Sequence, residues 1–467
     1  MNRIAEVFRA IIGSDGVLDT STDIDGYRGD LAVPRGGNIL CVVRPRRTPE
    51  LAQVVKHCAA HAIAITPRGG GTGLCGGATP MPGRDSVVVS FERMVAIRNL
   101  DPVGNTLVAE AGCTLHDIRA AAHAAGRLFA IDHGGVSSQI GGNLSTNAGG
   151  NNVLRYGMTR NQVLGLEVVL AGGEILSELD PLVKNNSGYD LKQIFVGSEG
   201  TLGLITAAAL KLHPKPTKSV TVLVGLPNLG TVLGFLERIR TVLGDNVSAF
   251  ELMTDSGIDF GRAHRGSSRW PFEWRAPWVV LIEADSPSEY FDLHGVVQAL
   301  LEDALATGQV VDGALAASEA QRALFWSLRE SIPVAMIETP GSLKSDTAVP
   351  VAALVEFVER ARAAVDAVVP DCVPVPFGHV GDGNIHFNVL PPPGMPAERF
   401  AERHAELAVA IEDAAISLGG TISAEHGIGL IKRAALQRMK SPAALAAMRA
   451  LKSALDPTNI LNPGKVI

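Results

Sequence analysis

The 467-residue chain has only five cysteines, Cys41, Cys58, Cys75, Cys113 and Cys372, an odd number with no CxxC spacing. That pattern argues against a disulfide framework and an iron–sulfur cluster, and suits reduced thiols in a cytoplasmic protein. A basic excess is also missing. Lys and Arg total 41 against 48 Asp and Glu, a net charge of −7, which argues against a nucleic-acid partner. No apolar run approaches the ~20 residues needed to cross a bilayer, so membrane association is expected to be peripheral at most. The first twelve residues carry Arg3, Glu6 and Arg9, and read as a short amphipathic helix rather than a signal peptide. Repeats and low-complexity tracts are lacking. No Gly-Lys-Ser/Thr is present, so there is no Walker A loop.

What is present is length and pattern. A chain of 467 residues with 46% apolar content exceeds one core and predicts two or three domains. Residues 39–43 read as a strand. Thr48-Pro49-Glu50 reads as a helix start, with Thr48 as N-cap and Pro49 at N1, and Leu51, Val54, Val55 and Cys58 follow at helical spacing. Strands are predicted over 62–65, 86–89, 106–110, 165–170 and 174–176, and a helix over 115–125. Residues 134–152 read as a long Gly/Asn-rich loop. Pro214-Lys215-Pro216 marks a boundary. Beyond it, strands over 220–224, 248–252 and 279–283 and helices over 229–243, 288–305, 320–336 and 351–368 predict an antiparallel sheet backed by helices. The tail, 421–467, reads as helical.

Two Gly-rich stretches suit a ligand. Gly71-x-Gly73-x-x-Gly76 has dinucleotide-fold spacing, but Pro80 and Pro82 follow and lead into a strand, not a helix. A strand–loop–strand whose bare amides form an anion nest fits better. Residues 140–152 are almost all small or amide-bearing, which suits a large polar ligand with flat edges better than a core.

Two polar clusters lie near the C-terminus. In the first, His379 and His386 flank Gly381-Asp382-Gly383-Asn384. If that turn closes a hairpin, both rings can face one point. Glu425 can add a carboxylate, giving a two-His-one-carboxylate metal site with open positions, acceptable to zinc, manganese or iron. His426 suits removal of an alcohol proton. Glu425 and His426 are neighbours, so they serve one site only if the backbone turns, which Gly427 permits. Asn388 shares a strand face with His386 and suits a hydrogen bond to substrate. A cofactor cradle followed by a metal-and-base cluster points to a redox enzyme acting on a small oxyacid.

Residues 67–77, 141–152, Gly157 and 197–203 resemble the FAD-binding domain of the vanillyl-alcohol oxidase / p-cresol methylhydroxylase superfamily. With the C-terminal clusters, the likeness narrows to the D-2-hydroxyacid dehydrogenase branch. That branch holds D-2-hydroxyglutarate dehydrogenases, D-lactate dehydrogenases and glycolate oxidase flavin subunits. The resemblance spans about residue 35 to Ile467. It implies an α+β fold: an N-terminal helical segment (1–34), a two-subdomain FAD-binding domain (35–215), a cap domain with an antiparallel sheet and helices (216–420), and a C-terminal helical segment (421–467) returning to the FAD domain.

The resemblance also implies residue roles. Arg68, Gly69, Gly70, Gly71, Thr72 and Gly73 would hold the pyrophosphate. Ser138, Gly142, Ser145, Thr146, Asn147, Gly149, Gly150 and Gly157 would line the flavin and ribityl chain. Glu199 and Ile205 would lie near the adenine, and Asn462 would return to the flavin. FAD is expected to be noncovalent, because no histidine occurs in residues 68–77. His379, His386 and Glu425 are the implied ligands of a divalent metal, zinc first, and His426 the implied base. Arg329 and Lys344 would clamp a carboxylate. The chain departs at Pro333, where hydroxyglutarate members carry a hydroxyl residue. The expected reaction is oxidation of a D-2-hydroxyacid, with D-2-hydroxyglutarate first and D-lactate or glycolate next. A non-redox transferase of the alkyl-dihydroxyacetone-phosphate synthase type would need a long apolar stretch in the cap, and none is seen. Electrons are expected to pass to an electron-transfer flavoprotein or quinone, and the chain to form a homodimer.

Overall fold

The computed structural model describes residues 3–265 and 270–467, so residues 1–2 of the expected N-terminal helix lie outside the described residues. The chain divides into two units. One holds Met1–Gly150, Gly157–Lys215 and Glu425–Ile467; the other holds Asn151–Tyr156 and Pro216–Ala424.

The first unit contains a four-stranded sheet in the order Val17–Leu18, Ile39–Val43, Ser86–Ser90, Ala64–Arg68, whose last three strands run parallel. Their continuous apolar runs are those of strands covered on both faces. Helices Arg3–Ile12 and Thr48–Ala60 pack against them through Ala5, Phe8, Leu51, Val54 and Val55. The N-cap of the second helix is Arg47, not Thr48 as its sequence suggests. The Thr48 hydroxyl donates to Glu167 Oε1 at 2.5 Å instead of accepting from the helix. The strand expected over 62–65 runs from Ala64 to Arg68, because pairing with Ser86–Ser90 carries it to the edge of the Gly-rich loop.

A five-stranded antiparallel sheet follows, ordered Ile97–Asp101, Thr106–Glu110, Leu204–Lys211, Val163–Val169, Ile175–Glu178. Helix Leu115–Ala124 packs on it, its first turn capped by Thr114, whose hydroxyl accepts from Asp117 N at 3.1 Å. Within the stretch read as loop, residues Ile140–Thr146 form a helix. Ile140 and Leu144 fall one turn apart, are fully buried, and outweigh the poor helix propensity of Gly141 and Gly142. Asn147, at φ +51°, ends it. The tail is not helical throughout. It holds helices Arg433–Met439 and Pro442–Leu455, then runs extended beside Ala64–Arg68: Ile65 N donates to Ile460 O and Asn462 N to Ile65 O, both at 2.8 Å.

The second unit is built on a seven-stranded sheet, antiparallel throughout among the described residues. Its order is Asp312–Leu315, Lys218–Leu226, Trp278–Ser286, Val247–Thr254, Val373–His379, Asn384–Leu390, Thr347–Ala348. Period-two alternation sorts its side chains. Val222, Val224, Phe250, Leu252, Val280 and Ile282 face helices Leu229–Leu243, Leu293–Ala306, Leu354–Val368 and His404–Ser417. Leu223, Met253, Val279, Leu281, Val375 and Phe377 face helices Asp255–His264 and Glu319–Glu338. The helix expected from 288 starts at Leu293, because Asp292 caps it by accepting from Gly295 N at 3.1 Å. The same alternation puts Glu251 on the face of Met253 and His379 on the face of Val375 and Phe377. Register places His386 opposite Phe377 and Asn388 opposite Val375, so both join that face. No helix among the described residues is long and apolar enough to cross a membrane.

Candidate active site

In the first unit the Gly-rich loop leaves the strand at Arg68 and folds onto the segment that opens helix Ile140–Thr146. Gly69 lies against Gly142, and a Cβ on Gly70 would sit 3.0 Å from Ser137 O. Gly71, at φ +72°, turns the loop beneath the Arg68 guanidinium. Thr72 and Gly73 continue the loop, and Gly73 abuts the Asp30 carboxylate. Arg68 is largely buried, which lowers the pKa of its guanidinium, and its Cζ lies 5.2 Å over the Tyr27 ring. Its Nε has no hydrogen-bond partner among the described residues; neither have Gln139 Oε1 and Asn462 Oδ1. Buried polar atoms of this kind need a ligand or water.

The helix carries the next residues. Ser145 and Thr146 hydroxyls donate back to Gly141 O and Gly142 O at 2.7 and 3.1 Å. Asn147 Oδ1 accepts from Arg160 N at 2.9 Å. Ser138 Oγ accepts from Asn143 Nδ2, and Asn143 Oδ1 contacts His133 Nε2, both at 3.0 Å. Gly150 and Gly157 adopt φ +135° and +76°. Bare backbone, unpaired buried polar atoms and an arginine over the Gly-rich loop fit a pyrophosphate-bearing, flat-edged ligand such as FAD.

Ile205 lies in the core of strand Leu204–Lys211. Glu199 is a hub. Its carboxylate oxygens accept from Ile428 N at 2.7 Å and Gly429 N at 2.9 Å, its amide donates to Ser145 O at 2.8 Å, and its carbonyl accepts from Asn462 Nδ2 at 2.7 Å. Burial raises the pKa of its acid. Lys465, 1% exposed, is a counter-charge, and burial pulls its pKa down to about 8. Cys75 Sγ donates to Gly427 O at 3.3 Å. Glu425 and His426 therefore enter a clamped turn, with Gly427 at φ +82°. Gly149 makes room for it, since a Cβ there would sit 2.6 Å from Glu425 Oε1.

The second unit holds the other residues. The strands ending at His379 and starting at Asn384 form the expected hairpin, and its turn needs Gly383, at φ +84°, because any Cβ there would strike Val349 O. The rings of His379 and His386 lie 5.9 Å apart, centroid to centroid, and a ligand nitrogen of one lies within 4.8 Å of a ligand nitrogen of the other. His379 Nδ1 lies 2.7 Å from Glu251 Oε1, and His386 Nδ1 lies 3.2 Å from Ser345 O. Both partners are acceptors, so Nδ1 carries the proton in each neutral ring and Nε2 carries the lone pair, as a metal requires. Asp346, 1% exposed, offers a carboxylate oxygen within 4.8 Å of a His386 nitrogen. Nearby, Asn384 Oδ1 and Ser345 Oγ are buried with no partner among the described residues.

Arg329 lies on helix Glu319–Glu338 and is 5% exposed, so it is no solvated helix charge. Its Nε donates to Glu251 Oε2 at 3.0 Å. Asn388 Oδ1 accepts from Ser345 N at 2.8 Å, so a bond from Asn388 to a substrate would come from Nδ2. Lys344 precedes Ser345; its side chain is exposed, yet the surrounding protein still lowers its pKa by desolvation. Sequence reasoning missed Glu251, Asp346 and Lys465. A charged residue within an apolar strand was the available signal for Glu251.

Two family models match: FAD linked oxidases, C-terminal domain, over residues 215–466, and FAD binding domain, over residues 39–177. Mitochondrial D-2-hydroxyglutarate dehydrogenase of Bos taurus is 38% identical over 92% of this chain and 77% of its own length. D-2-hydroxyglutarate dehydrogenase of Xanthomonas citri pv. viticola is 37% identical over 95% and 92%. Among solved structures, p-cresol methylhydroxylase with bound substrate aligns over 100% of this chain and 96% of its own, with TM-score 0.79 and 17% identity. An alkyldihydroxyacetonephosphate synthase aligns over 99% and 84%, with TM-score 0.73 and 18% identity. The α+β architecture is thus that of the p-cresol methylhydroxylase fold.

Proposed function

The chain belongs to the FAD-linked oxidase family and is an FAD-dependent D-2-hydroxyacid dehydrogenase; from that premise we propose that its substrate is D-2-hydroxyglutarate and that catalysis also requires a divalent metal. The observation that carries the substrate is the wiring of the paired-histidine face. His379 is joined through Glu251 to Arg329, and His386 through Ser345 to the adjoining Lys344. Arg329, tied to His379 through Glu251, and Lys344, next in sequence to the residue that holds His386, are two cations that suit a substrate with two carboxylates. The names of the relatives support the same acid.

FAD would supply the hydride acceptor, and a divalent ion, zinc first, would supply Lewis-acid polarisation of the hydroxyl. The chain does the rest. His379, His386 and Glu425 are the proposed ligands. His426 takes the hydroxyl proton on an imidazole nitrogen. Arg329 and Lys344 hold the carboxylates, and Asn388 Nδ2 donates to substrate oxygen. Arg68 and the amides of Gly69 to Gly73 hold the pyrophosphate, while Asn462 and the segment from Ser138 to Gly150 orient the flavin.

We further propose that electrons leave through an electron-transfer flavoprotein or quinone, and that the protein is a cytoplasmic homodimer. Five buried cysteines without a disulfide support a reducing compartment.

Lys344→Ala tests the diacid. A lost charge-assisted contact of about 1.5–3 kcal/mol raises KM for D-2-hydroxyglutarate roughly 10- to 100-fold. D-lactate, with one carboxylate, changes little. Steady-state kinetics with both acids reads this, and equal losses would remove Lys344 from recognition of the second carboxylate.

A further inference from the structure

Glu251 is 1% exposed, in the strand Val247–Thr254, and directly opposite His379 in register. Its two oxygens face different partners. Oε1 meets His379 Nδ1 at 2.7 Å and Oε2 meets Arg329 Nε at 3.0 Å. Ion-paired with the Arg329 guanidinium, which stays charged, Glu251 is a carboxylate that only accepts hydrogen bonds. Arg329 is gripped a second time, its Cζ 4.9 Å over the ring of Phe377, the residue opposite His386.

We propose that Glu251 is a shared positioning residue, which fixes His379 with Nε2 turned to the metal and, with its other oxygen, fixes the Arg329 guanidinium so that its two terminal nitrogens face the substrate carboxylate. The reasoning rests on the metal reading above. A carboxylate behind a ligating imidazole fixes tautomer and ring orientation and raises ligand basicity. Here the same carboxylate also sets the substrate anchor, so one buried anion couples ion binding to acid binding. A glutamine cannot replace it. Its amide has one acceptor oxygen and one donor nitrogen, while both neighbours are donors, so one of the two contacts turns repulsive.

The test uses FAD-loaded wild type and Glu251→Gln. Bound zinc is measured by mass spectrometry after equilibration against graded chelator, alongside KM for D-2-hydroxyglutarate, flavin content and circular dichroism. Glu251→Gln is expected to keep flavin and secondary structure, to bind zinc roughly 10- to 100-fold more weakly, and to show a raised KM at saturating zinc. If Glu251→Gln does not fold, Glu251→Asp serves. It keeps the charge but is shorter by one carbon, so it cannot reach both partners, and weaker zinc binding is again expected. A folded variant with an unchanged chelator midpoint and unchanged KM overturns the brace while leaving the metal site intact. A wild type that retains no zinc or manganese overturns the metal reading itself, and the brace with it.

Discussion

His426→Ala leaves flavin and metal bound and slows flavin reduction by substrate by about 10²- to 10⁴-fold, the usual contribution of a positioned general base. The expectation rests on chemistry and on local architecture. Oxidising an alcohol requires loss of the hydroxyl proton as hydride leaves carbon, and an imidazole titrates in the range where this is efficient. His426 stands one residue before a turn held by Glu199, which accepts from Ile428 N and Gly429 N, and by the Cys75 thiol on Gly427 O. Those bonds use the backbone of residues 427–429 and do not involve the His426 ring, so its truncation leaves this clamp in place. Rapid-mixing absorbance at the flavin band, under anaerobic conditions, separates reduction from later electron transfer. Reduction at the wild-type rate would remove His426 from the mechanism.

Removal of the proposed metal is expected to have the second large effect. Dialysis against a chelator is expected to cut turnover by at least about 100-fold, since Lewis-acid stabilisation of a developing alkoxide is worth several kcal/mol. The flavin spectrum is expected to stay, because none of the residues assigned to the flavin cradle is among the proposed metal ligands. Added zinc or manganese restores turnover, and the more effective ion identifies the metal. The donor set supports this outcome: both rings have Nδ1 against an acceptor, which puts the lone pair of each neutral ring on Nε2. Undiminished turnover in protein stripped of metal would assign the two histidines to substrate binding instead.

Much of this was legible in the sequence, for identifiable reasons. Helix 229–243 has a clear apolar period and is found over Leu229–Leu243, and strand 106–110 is found over Thr106–Glu110. The histidine hairpin was legible because Gly383 dictates its turn. Residues 140–146 were not, because two adjacent glycines hide a helix that exists through burial of Ile140 and Leu144. The extended tail was misread because its pairing with Ile65 is nonlocal. Glu251 was invisible as a site residue: its partner His379 is 128 positions away, and nothing around it forms a motif. The Glu199 carboxylate ties down the Ile428 and Gly429 amides, and the bond to Ile428 spans 229 positions that no local pattern announces. Motifs exposed the residues that meet ligands, and tertiary pairing hid those that hold them.

The central claim is a flavin that takes electrons from D-2-hydroxyglutarate. The most direct measurement is the anaerobic visible spectrum of the purified, metal-replete protein before and after this acid is added. The account predicts an oxidised flavin spectrum that bleaches within seconds with D-2-hydroxyglutarate and far more slowly with D-lactate at equal concentration. A flavin that stays oxidised with D-2-hydroxyglutarate but bleaches with D-lactate would contradict the substrate. The absence of any flavin band, with none recovered on adding FAD, would contradict the cofactor and the account with it.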